Sequence, residues 1–223
     1  MAYRFDFAAV FDYTPVLAKG VLVTVELIAF GAAAGVAAGI ACAWARTQGP
    51  RWLRPPVAAY IEVVRNTPFL IQLFFIFFGL PSAGVKLTEM QAACLAMAVN
   101  LGAYSAEIIR AGIQATPRGQ FEAGASLAMS PGQVFRHVVL RPSLQRIWPA
   151  LSSQIVIVML GSAVCSQIAA EELTFAANFI QSRNFRAFEV YFVATAIYLL
   201  LAVLLRALLH ALGRRLFDPG RAR

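Results

Sequence analysis

Long apolar stretches constrain the fold of this chain more than any other feature of its sequence. Of its 223 residues, 60% are hydrophobic and 13% are charged, whereas a soluble domain carries roughly 25% charged residues. Several apolar stretches reach about 20 residues, the length at which a helix can cross a bilayer. We therefore predict an all-α membrane protein with five transmembrane helices, at about 21–45, 57–80, 90–109, 148–170 and 190–212.

The distribution of basic residues predicts the orientation of these helices. The first loop, the third loop and the C-terminal tail hold 13 Lys and Arg residues, and the remaining connections hold 5. Because positively charged loops stay in the cytoplasm, we expect a periplasmic N-terminus and a cytoplasmic C-terminus. Residues 20–213 then form the transmembrane domain, preceded by an aromatic-rich periplasmic or interfacial segment (1–19) and followed by a cytoplasmic tail (214–223).

The polar loop between the third and fourth predicted spans, residues 116–142, carries the signals of two short helices. Thr116-Pro117 fits an N-cap followed by proline at the first helical position. Ser130-Pro131-Gly132-Gln133 fits a capping box that starts a second helix ending near Leu140. The residues between are small enough for a foreign surface to approach closely. From these features alone, a docking surface for a cytoplasmic partner and a simple connector between spans both stay open.

Four motifs carry a resemblance to a known family. The first, "QFEAGASLAMSPGQVFRHVVLRP" (120–142), is similar to the EAA loop of permease subunits from bacterial ATP-binding-cassette importers. Three further motifs resemble the branch that takes up polar amino acids, of the histidine/glutamine/arginine permease type: "EVVRNTPFLIQLFFIFFGLP" (62–81), "AYSAEIIRAGIQATPRGQFEAGASLAMS" (103–130) and "EELTFAANFIQSRNFRAFEVY" (171–191). These motifs follow the same order along the chain as in the family.

This resemblance implies a type I importer (MetI-like) fold in the bacterial inner membrane. It implies that the EAA loop (116–142) forms a coupling helix seated on a cytoplasmic ATPase. The implied docking residues are Glu122, Ala123, Gly124, Ala125, Ser126, Leu127, Ala128, Met129 and Ser130. The implied partners are an ATP-binding subunit dimer, a second permease subunit, a periplasmic substrate-binding protein, an amino acid substrate and membrane lipid, without nucleic acid. ATP and Mg would be bound by the ATPase, so no cofactor is expected in this chain.

Two departures from the family pattern carry consequences. Ala128 stands where the family usually has glycine. Leu160-Gly161 stands in the fourth span where the family often has a Lys-Asp pair. The second departure puts a substrate site on this subunit in doubt, and it favours a different, site-bearing chain as the second permease subunit.

Polar residues inside the predicted spans are candidates for the translocation path, because such groups are costly in a membrane unless they face a cavity or a partner. They are Glu26, Glu62, Arg65, Asn66, Thr67, Gln72 and Asn100. Thr67-Pro68 should break the second span. Glu62 and Arg65 are spaced to pair and could instead stabilise packing at the interface. Glu26 fits either a pore-facing or a partner-facing position, and Asn100 fits either the path or a bond between helices.

Two further patterns predict packing. Glu107 and Arg110, three residues apart, fit an ion pair that fixes the third span against the EAA loop. Gly31, Gly35 and Gly39, spaced by four, predict a close contact between helices.

The sequence shows no catalytic machinery. It contains no phosphate-binding loop of the G-x-x-x-x-G-K-[ST] type and no paired ligand spacing for a metal at its two histidines. We therefore expect no catalytic and no metal-binding residues. The remaining alternative is a subunit of an ion-gradient-driven amino acid carrier, although such carriers usually contain internal repeats.

Overall fold

The structure, a computed structural model, describes residues 4–217 except for the side chain of Arg141. Residues 1–3 and the last six residues of the predicted tail lie outside the described part. Within it the chain is almost entirely helical, without a strand, which confirms the predicted all-α fold. In chain order the helices are α1 (Ala8–Phe11), α2 (Thr14–Thr47), α3 (Arg54–Arg65), α4 (Phe69–Ser82), α5 (Glu89–Gln114), α6 (Arg118–Ser126), α7 (Pro131–Gln133, continuing as Val134–Val139 and Leu140–Gly161), α8 (Leu173–Asn184) and α9 (Ala187–Phe217).

Five segments of the described chain can cross a membrane if the broken pair α3–α4 is one span. Four are single helices: α2, α5, the segment Pro142–Ile168 and α9. The fifth is α3 followed after a sharp bend by α4, as the Thr67-Pro68 signal predicts, because proline has no backbone N–H to donate to a continuing helix. The helices extend beyond the predicted spans. In particular, α2 begins at Thr14, inside the segment 1–19, with Pro15 in its first turn.

The chain divides into two compact units. The first comprises Met1–Gly31, Phe69–Met97 and Val156–Leu205, and the second comprises Ala32–Pro68, Ala98–Ile155 and Arg206–Arg223. The core of the first unit joins α1, α2, α8 and α9 through Val10, Leu17, Leu173, Ala177, Ile180, Val190 and Ala194. The core of the second unit joins α2, α5 and α7 through Ala43, Ile109, Ile113, Val134, Phe135, Val139 and Ile147.

A buried carboxylate organises the start of α8 in the first unit. Glu172 is 0% exposed and caps α8 by accepting a 2.9 Å hydrogen bond from the Phe175 N–H. The Tyr198 hydroxyl donates to the other carboxylate oxygen. Burial raises the pKa of the Glu172 carboxyl, and these hydrogen bonds only partly oppose that rise. Glu172 therefore acts as a structural cap.

Glycines on α2 allow α2 and α5 to pack with their backbones close together. In the second unit, a Cβ at Gly35 would lie 2.8 Å from the Leu101 Cβ, and one at Gly39 would lie 2.5 Å from the Ser105 Cβ. In the first unit, a Cβ at Gly31 would lie 3.2 Å from the Met97 Cβ. The close helix contact predicted from the four-residue glycine spacing is therefore confirmed.

Candidate functional site

The first helix of the EAA loop starts differently from the prediction. α6 begins at Arg118 with Pro117 as its N-cap, and Pro117 makes no side-chain cap. The Thr116 hydroxyl is buried and lies 3.0 Å from the Ser143 hydroxyl. The predicted Thr116 N-cap is therefore wrong, because this hydroxyl bonds to α7 and not to the N–H groups of α6. Sequence spacing could not reveal this tertiary contact.

A tight turn of left-handed backbone ends α6. The N–H of Met129 donates to the Gly124 carbonyl at 3.2 Å, and the N–H of Ala128 donates to the Ala125 carbonyl at 2.9 Å. This pair of bonds is a Schellman motif, whose left-handed position usually holds glycine. Here that position is Ala128, with φ of 56°. The residue that departs from the family pattern therefore carries backbone strain.

The capping box at the start of the second helix is confirmed. The Ser130 side chain accepts from the Gln133 N–H, and the Gln133 side chain accepts from the Ser130 N–H at 2.8 Å. The predicted end near Leu140 is wrong. After the six-residue π-helical stretch Val134–Val139 the helix continues to Gly161, because Pro142 falls within the first turn of the next helical stretch, where a proline is tolerated. The second half of the EAA loop is thus the beginning of a span.

The proposed docking residues are mostly exposed, with one exception. Glu122, Ala123, Ala125, Ser126, Leu127, Ala128 and Ser130 are exposed, and Met129 is partly buried. Gly124 is buried, and a Cβ there would lie 2.8 Å from a methyl of Val134. Its small size therefore serves packing inside the loop, and its part in docking stays a prediction.

Leu127 dominates the exposed surface of the turn. Its side chain is 76% exposed, among neighbours that are small or polar. The small size of the neighbouring residues does not predict this projecting apolar group. The signal for it is local, because Leu127 is the C-cap of α6 and precedes the left-handed residue, so the chain turns away beneath it.

The EAA loop is fastened to the helices on either side of it. The Arg146 guanidinium donates to the Ala115 carbonyl at 2.8 Å. A Cβ at Gly112 would lie 2.6 Å from a methyl of Ile147, so α5 and α7 touch directly where the loop begins. With Val134 and Phe135 in the core of the second unit, a force on the loop acts on α5 and α7 together.

Charged groups converge on Glu107 in the second unit. Arg110 forms two hydrogen bonds with its carboxylate, the Nε–H donating at 3.0 Å. This confirms the predicted Glu107–Arg110 pair. Sequence spacing does not reveal Arg46, whose guanidinium lies 3.6 Å from the same carboxylate. We call Glu107, Arg110 and Arg46 the Glu107 cluster. It carries one more positive than negative charge.

The break between α3 and α4 exposes four of the candidate path residues. Glu62, Arg65, Asn66 and Thr67 are exposed. Glu62 accepts a 3.2 Å hydrogen bond from the Asn66 amide, and the Arg65 guanidinium lies over the Tyr104 ring, 5.7 Å from its centre. The predicted Glu62–Arg65 pair is therefore not formed, because each side chain has a different neighbour.

The other candidate path residues are distributed differently. Asn100 is 8% exposed on α5, and this burial favours the alternative of a bond between helices. Glu26 is exposed on α2, while Gln72 is partly buried on α4. Glu26 and Gln72 belong to the first unit, and the remaining five belong to the second.

The chain matches the family described as the binding-protein-dependent transport system inner membrane component over residues 35–218. The chain belongs to this family. The glutamine transport system permease protein GlnP of Escherichia coli (strain K12) is 34% identical over 216 residues, which make up 96% of this permease and 98% of GlnP. A solved amino acid ABC transporter with histidines is 36% identical, with a TM-score of 0.84, and the match covers 96% of this permease and 100% of that chain.

A more distant structure supports the fold. The MetNI methionine ABC transporter in inward-facing conformations matches with a TM-score of 0.75 at 20% identity, over 91% of this permease and 97% of that chain. The type I importer fold is thus confirmed. The permease is a multi-pass protein of the inner membrane, its relatives are transporter permease subunits, and its family implies partners of the ATPase and substrate-binding-protein types.

Proposed function

We propose that this permease is one membrane-spanning subunit of an importer that uses ATP to move polar amino acids into the cell. The glutamine permease at 34% identity and the amino acid ABC transporter at 36% identity support this substrate class. A periplasmic binding protein delivers the substrate, and an ATP-binding subunit dimer in the cytoplasm binds ATP and Mg. The N-terminus is periplasmic and the EAA loop cytoplasmic, in agreement with the excess of basic residues in the loops on that side.

The construction of the EAA loop carries this proposal. Its turn presents Leu127 at 76% exposure, while Gly124, Val134 and Phe135 are buried beneath. An apolar side chain projecting from a rigid polar turn is what a partner pocket can bind with little ordering cost. Because the loop is bonded to both α5 and α7, movement of a bound ATPase reaches the spans as a rigid displacement. A simple connector needs neither feature.

The break at residues 66–68 supports a role in the path. Broken helices leave backbone groups available to a polar substrate at membrane depth. Alternating access then follows from a change in the packing of the spans, driven by the two nucleotide states of the ATPase. Leu160-Gly161, at 46% exposure for Leu160, offers no charged group to an amino acid. The second permease subunit is therefore a different chain that bears the substrate site.

Replacing the apolar tip of the loop tests the docking assignment. Leu127→Asp places a charge where the ATPase pocket is apolar, so co-purification of the ATPase should fall at least about tenfold. Val85→Asp is the matched control. Val85 is an exposed apolar loop residue, at 49% exposure, in the loop between α4 and α5, which we place on the periplasmic side.

The readout is the amount of ATPase retained on affinity-tagged permease, together with uptake of labelled amino acids in cells. Val85→Asp should retain the ATPase. Retention of the ATPase at wild-type level by Leu127→Asp would contradict the assignment. Uptake that persists without ATP and collapses with an ionophore would instead favour the ion-gradient carrier.

A further inference from the structure

A small cavity with both apolar and polar lining lies between α7 and α9 in the second unit. Its volume is about 270 Å³. The residues that line it are Trp148, Pro149, Ser152, Ser153, Arg206 and His210. None of them belongs to the EAA loop or to the candidate path residues. The cavity therefore shares no lining residue with the EAA loop or with the candidate path.

The indole of Trp148 holds one side of this cavity in place. Its Nε1–H donates to the Leu209 carbonyl at 2.9 Å, which ties α7 to α9. The ring packs edge-on against Phe217 at 5.4 Å. Gly213 makes room for the indole, because any Cβ there would collide with it. These contacts fix the spacing of the two helices, so the cavity has a defined wall.

Apart from the Trp148 indole, which is already bonded to Leu209, the polar groups around the cavity are hydrogen-bond donors, and three of them have no partner among the described residues. The Ser152 hydroxyl is buried without a hydrogen-bond partner, a costly state for a polar group. Arg206 and His210 make no ion pair or hydrogen bond with the described residues 4–217. No carboxylate lines the cavity. A guanidinium, an imidazole and two hydroxyls suit an anion with several oxygens, such as a phosphate.

The position of these groups along α9 corresponds to the depth of lipid headgroups. α9 has 31 residues and is therefore about 46 Å long at 1.5 Å per residue, whereas the hydrocarbon core of a bilayer is about 30 Å thick. Counted from Val190, that thickness ends after about 20 residues, close to His210. Arg206 lies slightly deeper, at a depth from which a long basic side chain extends to the interface. Trp148 is of the residue type enriched at this depth.

Two residues of α9 that precede Arg206 are apolar and exposed. Val203 and Leu199 are 56% and 65% exposed. At 100° per residue they lie on the same side of the helix as Arg206 and His210. An apolar helix surface that ends in a basic group matches an acyl chain that ends in a phosphate.

We propose that this cavity binds the phosphate of an anionic phospholipid headgroup. Arg206 and His210 face the phosphate oxygens, and the Ser152 hydroxyl, which is buried without a partner, donates to one of them after a small shift of its side chain. Two other uses fit less well. No group of three metal-binding side chains exists in the described chain, and the Ser152 hydroxyl makes no hydrogen bond to His210, so a serine–histidine pair is not formed. The site would bind lipid whether or not the proposed substrate class is correct.

Native mass spectrometry of the full-length permease, purified with the subunits that remain bound, tests this proposal. The probes are dioleoyl phosphatidylglycerol and dioleoyl phosphatidylcholine. The wild type should bind phosphatidylglycerol more tightly. Arg206→Gln should weaken phosphatidylglycerol binding roughly fivefold, the effect of one basic residue at a membrane surface, and weaken phosphatidylcholine binding less, because the choline ammonium offsets the charge of its phosphate.

Arg215→Gln is the matched control. Arg215 is exposed on the same helix, and nine residues at 100° each place it on the face opposite Arg206. Its removal should change binding less than about twofold, since it lies outside the cavity. An equal effect of both variants would show diffuse attraction to a basic surface and would overturn the site.

Two further measurements keep the proposal testable if Arg206→Gln fails to assemble. Ser152→Ala removes only the unpartnered hydroxyl and should weaken phosphatidylglycerol binding a few-fold, whereas an unchanged affinity would contradict the assigned contact. On the wild type, inorganic phosphate should compete poorly. Displacement of the lipid by inorganic phosphate at equal concentration would identify a free-anion site instead. Equal affinity for the two lipids would also overturn the proposal.

Discussion

The EAA loop and the Glu107 cluster both hold polar groups among apolar helices. They differ in how far apart in the sequence their contacting residues lie. The loop is held by contacts close in sequence: the Ser130–Gln133 capping box, the Gly124–Met129 hydrogen bond and the packing of Gly124 on Val134. The cluster joins Arg46 to Glu107, which lie on different helices. Local contacts therefore shape the loop, and tertiary contacts shape the cluster.

Because of this difference, we expect the two regions to respond differently to substitution. The tip of the loop (122–130) is held by these local contacts, so a substitution there should alter its shape while the spans stay packed. The cluster connects α2 with α5, so a substitution there should loosen the second unit. The side chains of Arg46, Glu107 and Arg110 are about a quarter exposed, at 25%, 24% and 25%. If one partner is removed, solvent therefore only partly screens the charge that is left unpaired.

Glu107→Gln should have the largest effect, because it leaves Arg46 and Arg110 without a counter-charge. Removing one partner from a fully buried pair costs about 3–5 kcal/mol, and partial exposure should reduce this to about 2–3 kcal/mol. The measurement is the free energy of unfolding of the purified permease in detergent. The loss should be accompanied by increased proteolysis of the segment between α2 and α3.

Glu62→Gln is the control for that comparison. Glu62 is exposed and accepts only from Asn66 among the contacts described, so its neutralisation should change the free energy of unfolding by less than about 0.5 kcal/mol. Equal losses from the two substitutions would mean that the arginines around Glu107 add nothing to stability. The distinction between the cluster and the exposed break would then fail.

Gly124→Ala should have an intermediate effect within the loop. The new Cβ would lie 2.8 Å from a methyl of buried Val134, so α6 must shift away, at a cost of about 1–2 kcal/mol after the gain in helix propensity. Gly119→Ala on the same helix is the control, because nothing lies within 4 Å of its Cβ position. The rate of hydrogen exchange at the α6 amides measures the local stability of the helix in both variants. Faster exchange in Gly119→Ala than in Gly124→Ala would contradict the packing role.

Local signals made much of the fold predictable from the sequence. The apolar stretches predicted the spans, and the Thr67-Pro68 signal predicted the break between α3 and α4. The glycine spacing on α2 predicted a close helix contact, and the structure identifies its partner as α5. The Ser130–Gln133 capping box and the Glu107–Arg110 pair were predicted for the same reason: each is a contact between residues three apart on one helix. Such contacts require no knowledge of the tertiary fold.

The errors have a tertiary origin. Thr116 has the residue type and the position of an N-cap, but Ser143 on another helix bonds its hydroxyl. Glu62 and Arg65 are spaced to pair, but Tyr104 on α5 binds the guanidinium of Arg65. The sequence placed Gly124 among the implied docking residues but could not show that Val134 covers it. The cavity beside Ser152 was unpredictable for the same reason, since its lining comes from two helices distant in sequence.

Ala128→Gly should have the smallest effect and the opposite sign. Ala128 adopts φ of 56°, and a left-handed conformation costs an L-residue about 1–2 kcal/mol, from which the greater entropy of glycine in the unfolded chain must be subtracted. The expected gain is roughly 0.5–1 kcal/mol, seen as slower hydrogen exchange at the end of α6. Ala125→Gly, at an exposed position inside the same helix, should instead destabilise by a similar amount. If both substitutions destabilise the loop, the turn in solution is not the left-handed one, and the exposure of Leu127 that depends on it must be re-examined.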